Sequence, residues 1–277
     1  MGIPRFTKLL IKRYPLIEEK IKKSNPLIPP IDNLYLDINS ILHLVSHSRE
    51  HNLLALTKKK TNEKIFEETC DIINQIVNLI KPQSFLMIVL DGVCPIAKIS
   101  NQIISRYVNN SLFQIDEFNE LLKEINLEKI NDFDGNQIFP GTDFMNKFEE
   151  YLNNYVFNRK KEDGKIWNDI EVIISGTYSP GEGEYKIMEQ IREQKENEKN
   201  TKKEKNEEKN ENLIKYCIFS GDADIILLSL LINEPNIVIL KSDINNNQEY
   251  NFECNEDNNF LLFNNFIYIS ILRQYLS

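Results

Sequence analysis

Four short apolar runs in this chain each lead, within a few residues, into carboxylates. The run LYLDI (34–38) holds Asp37 near its end, and FLMIVL (85–90) is followed at once by Asp91. IEVII (170–174) passes through Ser175 and Gly176 into SPGEGE, which carries Glu182 and Glu184. YCIF (216–219) passes through Ser220 and Gly221 to Asp222 and Asp224. With a fifth run, IVIL (237–240), these read as near-continuous apolar stretches, the pattern of strands buried on both faces of a parallel sheet. Helical stripes lie between them: Phe66, Ile73, Val77 and Ile80 mark one, and Phe144, Phe148, Leu152 and Tyr155 another, with Thr142 and Asp143 placed to cap the second. Strands alternating with helices predict an α/β fold with a mainly parallel central sheet flanked by helices and right-handed crossovers.

In an open parallel sheet the ligand site lies outside the carboxyl ends of the strands. The six acids therefore converge on one edge, and the ExE and DxD pairs place both members on one side of an extended segment. Carboxylates gathered this way repel one another unless protons, lysines, arginines or cations compensate. Oxygen donors without histidine or cysteine among them favour magnesium or manganese over zinc. Two such ions can activate a water and stabilise the leaving oxygen of a phosphodiester. Pro180, Gly181 and Gly183 permit a tight approach into a helix beginning near Glu182, and helix N-termini attract phosphate, although a plain turn explains SPGEG as well.

Composition sets the class. With 277 residues, 41% hydrophobic and 27% charged, the chain is ordinary globular material. Its net charge of −9 argues against a nucleic-acid partner only as a sum. Before residue 30 the chain carries Arg5, Lys8, Lys12, Arg13, Lys20, Lys22 and Lys23 against Glu18 and Glu19, a basic arm on an acidic body. The segment 192–212 holds seven basic and seven acidic residues and almost nothing apolar. It reads as a solvated, disordered insertion or a helix extended into water, and 245–259 as an Asn-rich loop. Cys70, Cys94, Cys217 and Cys254 are widely spaced without a CxxC pair, which predicts reduced thiols in a cytosolic or nuclear protein, the two compartments left undistinguished. No signal peptide, myristoylation pattern or membrane-length apolar run is visible, so a soluble protein without a membrane partner is expected. Trp167 is expected in the core.

Six segments in order, MGIPRFTKLLIKRYPLI, DNLYLDINSILHLVSH, DGVCPIAK, FPGTDFM, SGTYSPGEGEYKIMEQIR and GDADIILLSL, resemble the successive signatures of the N-terminal nuclease region of Xrn-family 5′→3′ exoribonucleases, a branch of the PIN/flap-nuclease fold. The resemblance covers most of 1–277 outside the charged insertion. It implies metal-dependent hydrolysis of single-stranded RNA from a 5′-monophosphate end, with Asp37, Asp91, Glu182, Glu184, Asp222 and Asp224 as the ligands of Mg2+ or Mn2+. It further implies that Lys98, Gln102 and Arg106 read the 5′-phosphate, a second arginine of that pocket being replaced by Ser105, and that His43 stacks on the 5′-terminal base. His43, His47 and His51 share a spacing that could instead form a histidine metal site; the resemblance takes His47 as structural.

The closing stretch FIYISILRQYLS resembles a helix ahead of a later aspartate and channel segment of the family. This implies a truncated product or a partner protein that supplies the rest. Two alternatives accompany the exoribonuclease: a structure-specific 5′ flap nuclease, which would ignore 5′ phosphorylation, and a catalytically impaired remnant that binds RNA or a partner.

Overall fold

Each of the five apolar runs forms a strand of one seven-stranded sheet. The computed structural model describes residues 6–21, 28–47, 61–100, 103–104, 133–162, 166–205, 214–232, 234–241 and 265–277. Its elements are α1 (Phe6–Arg13), β1 (Glu18–Lys20), β2 (Asn33–Asp37), α2 (Ile38–His47), α3 (Asn62–Ile80), β3 (Phe85–Val89), α4 (Asp143–Glu162), α5 (Ile166–Asp169), β4 (Glu171–Ser175), α6 (Gly183–Lys205), β5 (Tyr216–Phe219), α7 (Asp224–Ile232), β6 (Ile237–Lys241), β7 (Asn265–Tyr268) and α8 (Ile269–Leu276). The sheet order is β1-β7-β6-β5-β2-β3-β4. The five strands from β6 to β4 are parallel, and β7 runs antiparallel between β6 and β1. Of the five parallel strands, β2, β3, β5 and β6 are buried at every position and β4, at the sheet's edge, is half-exposed. The predicted mainly parallel α/β architecture is what the chain adopts.

Side chains leave the sheet alternately to two faces. Leu34, Leu36, Leu86, Ile88 and Phe219 pack against α2, α3 and α4, where Phe66 meets Phe144 and Phe148 at ring separations of 5.2 and 5.3 Å. Tyr35, Met87, Ile218 and Ile239 face α6, α7 and α8 through Ile187, Ile225 and Leu272. Both predicted helical stripes are buried in the first layer except Tyr155, which is partly buried against it, and Thr142 caps α4 by accepting the Met145 N–H at 3.2 Å. Trp167 is fully buried, edge-on to Tyr155 at 6.3 Å. Cys70, Cys94 and Cys217 are buried free thiols. No helix among the described residues is long and apolar enough to cross a membrane.

Two readings change in detail. The closing stretch is not all helix: Asn265–Tyr268 pairs with β6 and β1 before α8 begins. The charged segment takes the helical form as far as Lys205, continuing α6; residues 206–212 and the Asn-rich loop lie outside the described residues.

Candidate functional site

Chain order reverses at β2: β3 and β4 extend the sheet to one side, β5 and β6 to the other. Such a switch point opens a crevice at the strands' carboxyl ends. Asp37, the last residue of β2, sits in it, 5% exposed. Its Oδ2 accepts the Ser220 hydroxyl at 3.0 Å from the end of β5, a bond that spans the switch point. Its Oδ1 is buried without a hydrogen-bond partner.

Asp91 leaves β3 one residue beyond Leu90 and is held from two directions. Oδ2 accepts Asn39 Nδ2 at 3.0 Å while the Asp91 N–H donates to Asn39 Oδ1 at 3.1 Å. Oδ1 accepts the N–H of Gly183 at 2.6 Å, in the first turn of α6. The approach is close: a Cβ on Gly183 would lie 3.1 Å from Asp37 Oδ1 and 3.4 Å from Asp91 Oδ1, so a side chain there would press on both carboxylates. The β3 exit and the SPGEG loop are also bonded backbone to backbone, Gly92 N–H to Gly181 O at 2.8 Å and Gly181 N–H to Val93 O at 3.0 Å. Gly181 takes φ +103°, which the tight turn into α6 requires. The loop thereby delivers Glu182 and Glu184, both buried, beside Asp91.

Glu182 holds Lys98, whose Nζ lies 2.7 Å from both carboxylate oxygens. Burial works against the Lys98 charge, and Glu182, with Glu184 and Asp222, overcomes it and raises the ammonium's pKa. On the other flank the Asp222 N–H donates to Ser220 Oγ at 3.1 Å, so one hydroxyl ties Asp222 to Asp37. Asp224 opens α7 and joins the group through its field at Lys241.

The electrostatics show a single coupled site. Burial, then the Asp91, Glu184 and Asp222 charges, push Asp37 up to about 8 against the Ser220 hydrogen bond. Burial with Asp222, Glu182 and Asp91 pushes Glu184 up to about 7. Burial also raises Asp91, opposed by the Gly183 N–H and reinforced by Glu182 and Asp222. Among the described residues no three His, Cys, Asp or Glu side chains already converge tightly enough to hold a metal ion. The donor chemistry nonetheless suits a hard divalent cation: all-oxygen, mutually repelling, with one buried carboxylate oxygen lacking a partner.

Of the remaining expected residues, His43 is exposed on α2, one turn beyond Asn39 and on the same helix face. His47 ends α2, and His51, Gln102, Ser105 and Arg106 lie outside the described residues. The sequence reading missed Asn39, Ser220, Lys186 and Lys241. Lys241 Nζ donates to Ser220 O at 2.8 Å and Asp222 O at 2.5 Å. Lys186 Nζ donates to Leu90 O at 2.8 Å and Gly176 O at 2.9 Å. Their only signals were a lysine ending the apolar run IVILK and another four residues after Glu182.

A family model described as the XRN 5′-3′ exonuclease N-terminus matches residues 1–243. The 5′-3′ exoribonuclease 1 of Saccharomyces cerevisiae is 33% identical over 281 residues, covering 100% of this chain and 17% of that protein. The 5′-3′ exoribonuclease 1 of Homo sapiens is 31% identical over 88% of this chain and 13% of its own length. The 5′-3′ exoribonuclease 2 of Kluyveromyces lactis is 31% identical over 100% of this chain and 30% of its own. The chain thus spans less than a third of the length of these relatives.

Proposed function

The chain belongs to the XRN 5′-3′ exonuclease family, and from that premise we propose that it hydrolyses single-stranded RNA from a 5′-monophosphate end. The observation that carries the reading is the coupled group of Asp37, Asp91, Glu182, Glu184 and Asp222 at the carboxyl ends of neighbouring strands.

Asp37, Asp91, Glu182, Glu184, Asp222 and Asp224 are the residues that would hold Mg2+ or Mn2+, which supplies a water ionised near neutral pH and charge stabilisation at the phosphoryl group. Asn39 and the Gly183 N–H fix both oxygens of Asp91. The Ser220 hydroxyl fixes one oxygen of Asp37 and leaves the other for a ligand. With no cation nearby, Asp37 and Glu184 retain protons into neutral pH. Lys98 stays charged and stands beside Glu182, where an incoming 5′-phosphate would find a cation already at the site. His43, exposed a turn beyond Asn39, offers its ring to the terminal base. Together these would place the first internucleotide linkage over the acids.

The test compares two RNAs of one sequence, 5′-monophosphate and 5′-hydroxyl, with Mg2+, using the whole chain and Asp91→Ala. Shortening of the monophosphate RNA alone, lost in the variant, is expected. Equal attack on both ends would overturn the 5′-end reading, and attack on neither would overturn hydrolysis by this chain.

A further inference from the structure

Two lysines lie buried on opposite sides of the acidic group, and each directs its ammonium to main-chain carbonyls. Lys186, 6% exposed on α6, bridges Leu90 O and Gly176 O, the exits of β3 and β4. Lys241, 9% exposed at the end of β6, bridges Ser220 O and Asp222 O in the exit of β5. Leu90 immediately precedes Asp91, and the second pair of carbonyls brackets the loop that carries Asp222.

We infer that Lys186 and Lys241 are positioning residues of the cation site, each locking one half of the strand-end loops so that the carboxylates are in place before an ion arrives. This rests on the reading of the acids as a cation site. Three features argue for it. An ammonium taken out of water is costly unless it is fully hydrogen-bonded, and a methionine would fill the same space without that cost, so packing alone does not call for lysine. Lys186 joins the exit of β3, just before Asp91, to that of β4, and Lys241 ties the end of β6 to the β5 exit that carries Asp222. Lys186 lies in the field of Asp91, and Lys241 in those of Asp222, Asp37, Asp224 and Glu184, so between them they reach both flanks of the site. The Ser220 hydroxyl passes the Lys241 restraint on to Asp37, because its carbonyl is held by the lysine and its Oγ by Asp37 and Asp222.

The sign of the effect separates positioning from simple electrostatics. A fixed positive charge repels a divalent cation, so deleting it would tighten binding if charge were its whole contribution. Loss of positioning weakens binding instead. A purely structural lysine would lower the unfolding temperature and leave the affinity of the folded protein unchanged.

The experiment measures Mn2+ binding by the whole chain without RNA, from the loss of the free-ion electron paramagnetic resonance signal, with thermal unfolding in EDTA alongside. Lys186→Met and Lys241→Met are compared with wild type and with Lys195→Met, whose lysine pairs with Glu234 instead. Mn2+ affinity should fall by about 10-fold or more in the first two variants, the loss typical of groups that orient metal ligands. Lys195→Met should bind as wild type does. Lys186 and Lys241 act on different strands, so one variant that fails to fold leaves the other to decide. Should both fail, Lys186→Gln and Lys241→Gln replace them with the same expectation. Unchanged or tighter binding by the folded variants would overturn the inference alone. A wild-type chain that binds no Mn2+ would overturn the cation-site reading and the inference with it.

Discussion

Lys98 Nζ and the Glu182 carboxylate form a two-pronged ion pair, 2.7 Å from each oxygen. The cation expected to meet the 5′-phosphate is thus held, in the absence of RNA, by an acid expected to hold metal. Phosphate and Glu182 compete for one ammonium, and whatever neutralises Glu182 releases Lys98 toward the RNA end. Binding of ion and of phosphorylated end should therefore be mutually favourable, by thermodynamic reciprocity.

Lys98→Ala should cut kcat/KM on 5′-monophosphate RNA by roughly 10- to 100-fold, the worth of a charge-assisted hydrogen bond of about 1.5–3 kcal/mol. The residual rate on 5′-hydroxyl RNA should change far less. Parallel kinetics on both RNAs check this; an equal loss on both would assign Lys98 to the acids rather than to the phosphate.

Asp37 makes the metal-free protein sensitive to alkali. Its carboxyl is raised from 3.8 to about 8 in the fold, chiefly by burial, so the folded state binds the proton more tightly than the unfolded chain. That stabilisation is complete below the unfolded value and is lost as pH rises through about 8. Glu184, raised from 4.5 to about 7, acts in the same direction. In EDTA the unfolding temperature should fall between pH 5 and 8, by an amount on the order of several degrees. Asp37→Asn should flatten that slope, and equal slopes in the two proteins would refute the assignment.

Gly92 has no room for a side chain. A Cβ there would stand 1.8 Å from the Ser179 carbonyl oxygen and 3.1 Å from Pro180 Cα, both backbone. Gly92→Ala should push the SPGEG loop off the β3 exit and cost about 1–3 kcal/mol, the range for forced overpacking. Calorimetry would read the loss of stability, and cation binding should weaken with it because Glu182 and Glu184 ride on that loop.

Phe148 anchors the helical layer away from the site, fully buried against Phe66. Phe148→Ala should destabilise the fold by about 3–5 kcal/mol, the usual cost of an aromatic deleted from a core. Denaturant titration checks the figure. Cation affinity of the folded fraction should stay at its wild-type value, since Phe148 faces the core and the hydrogen bonds that run from α4 toward the site come from its neighbour Glu149, at Thr177.

The sheet was legible where burial on both faces left an unbroken apolar run, as in 85–89 and 216–219. It was illegible where pairing alone makes the strand. Glu18–Lys20 is a polar tripeptide whose strand character comes only from β7, and Asn265–Tyr268 merges in sequence with the helix that follows. The acids stood out because each ends a strand or follows one. Lys186 and Lys241 were not: their partners are carbonyls of segments from 10 to 96 residues away, and a carbonyl leaves no mark in a sequence.

The strand order also sets when the group of acids can first assemble. Asp37 and Asp91 come from neighbouring strands that emerge early in synthesis, whereas Asp222 and Lys241 emerge far later yet dock on the opposite side of the same strand. A nascent chain halted before β5 carries an open sheet edge and lacks Asp222 and Asp224, two of the six acids. If the chain acts on RNA as proposed, the growing polypeptide has no assembled site to turn on the message that encodes it until β5 and β6 have left the ribosome and completed the crevice.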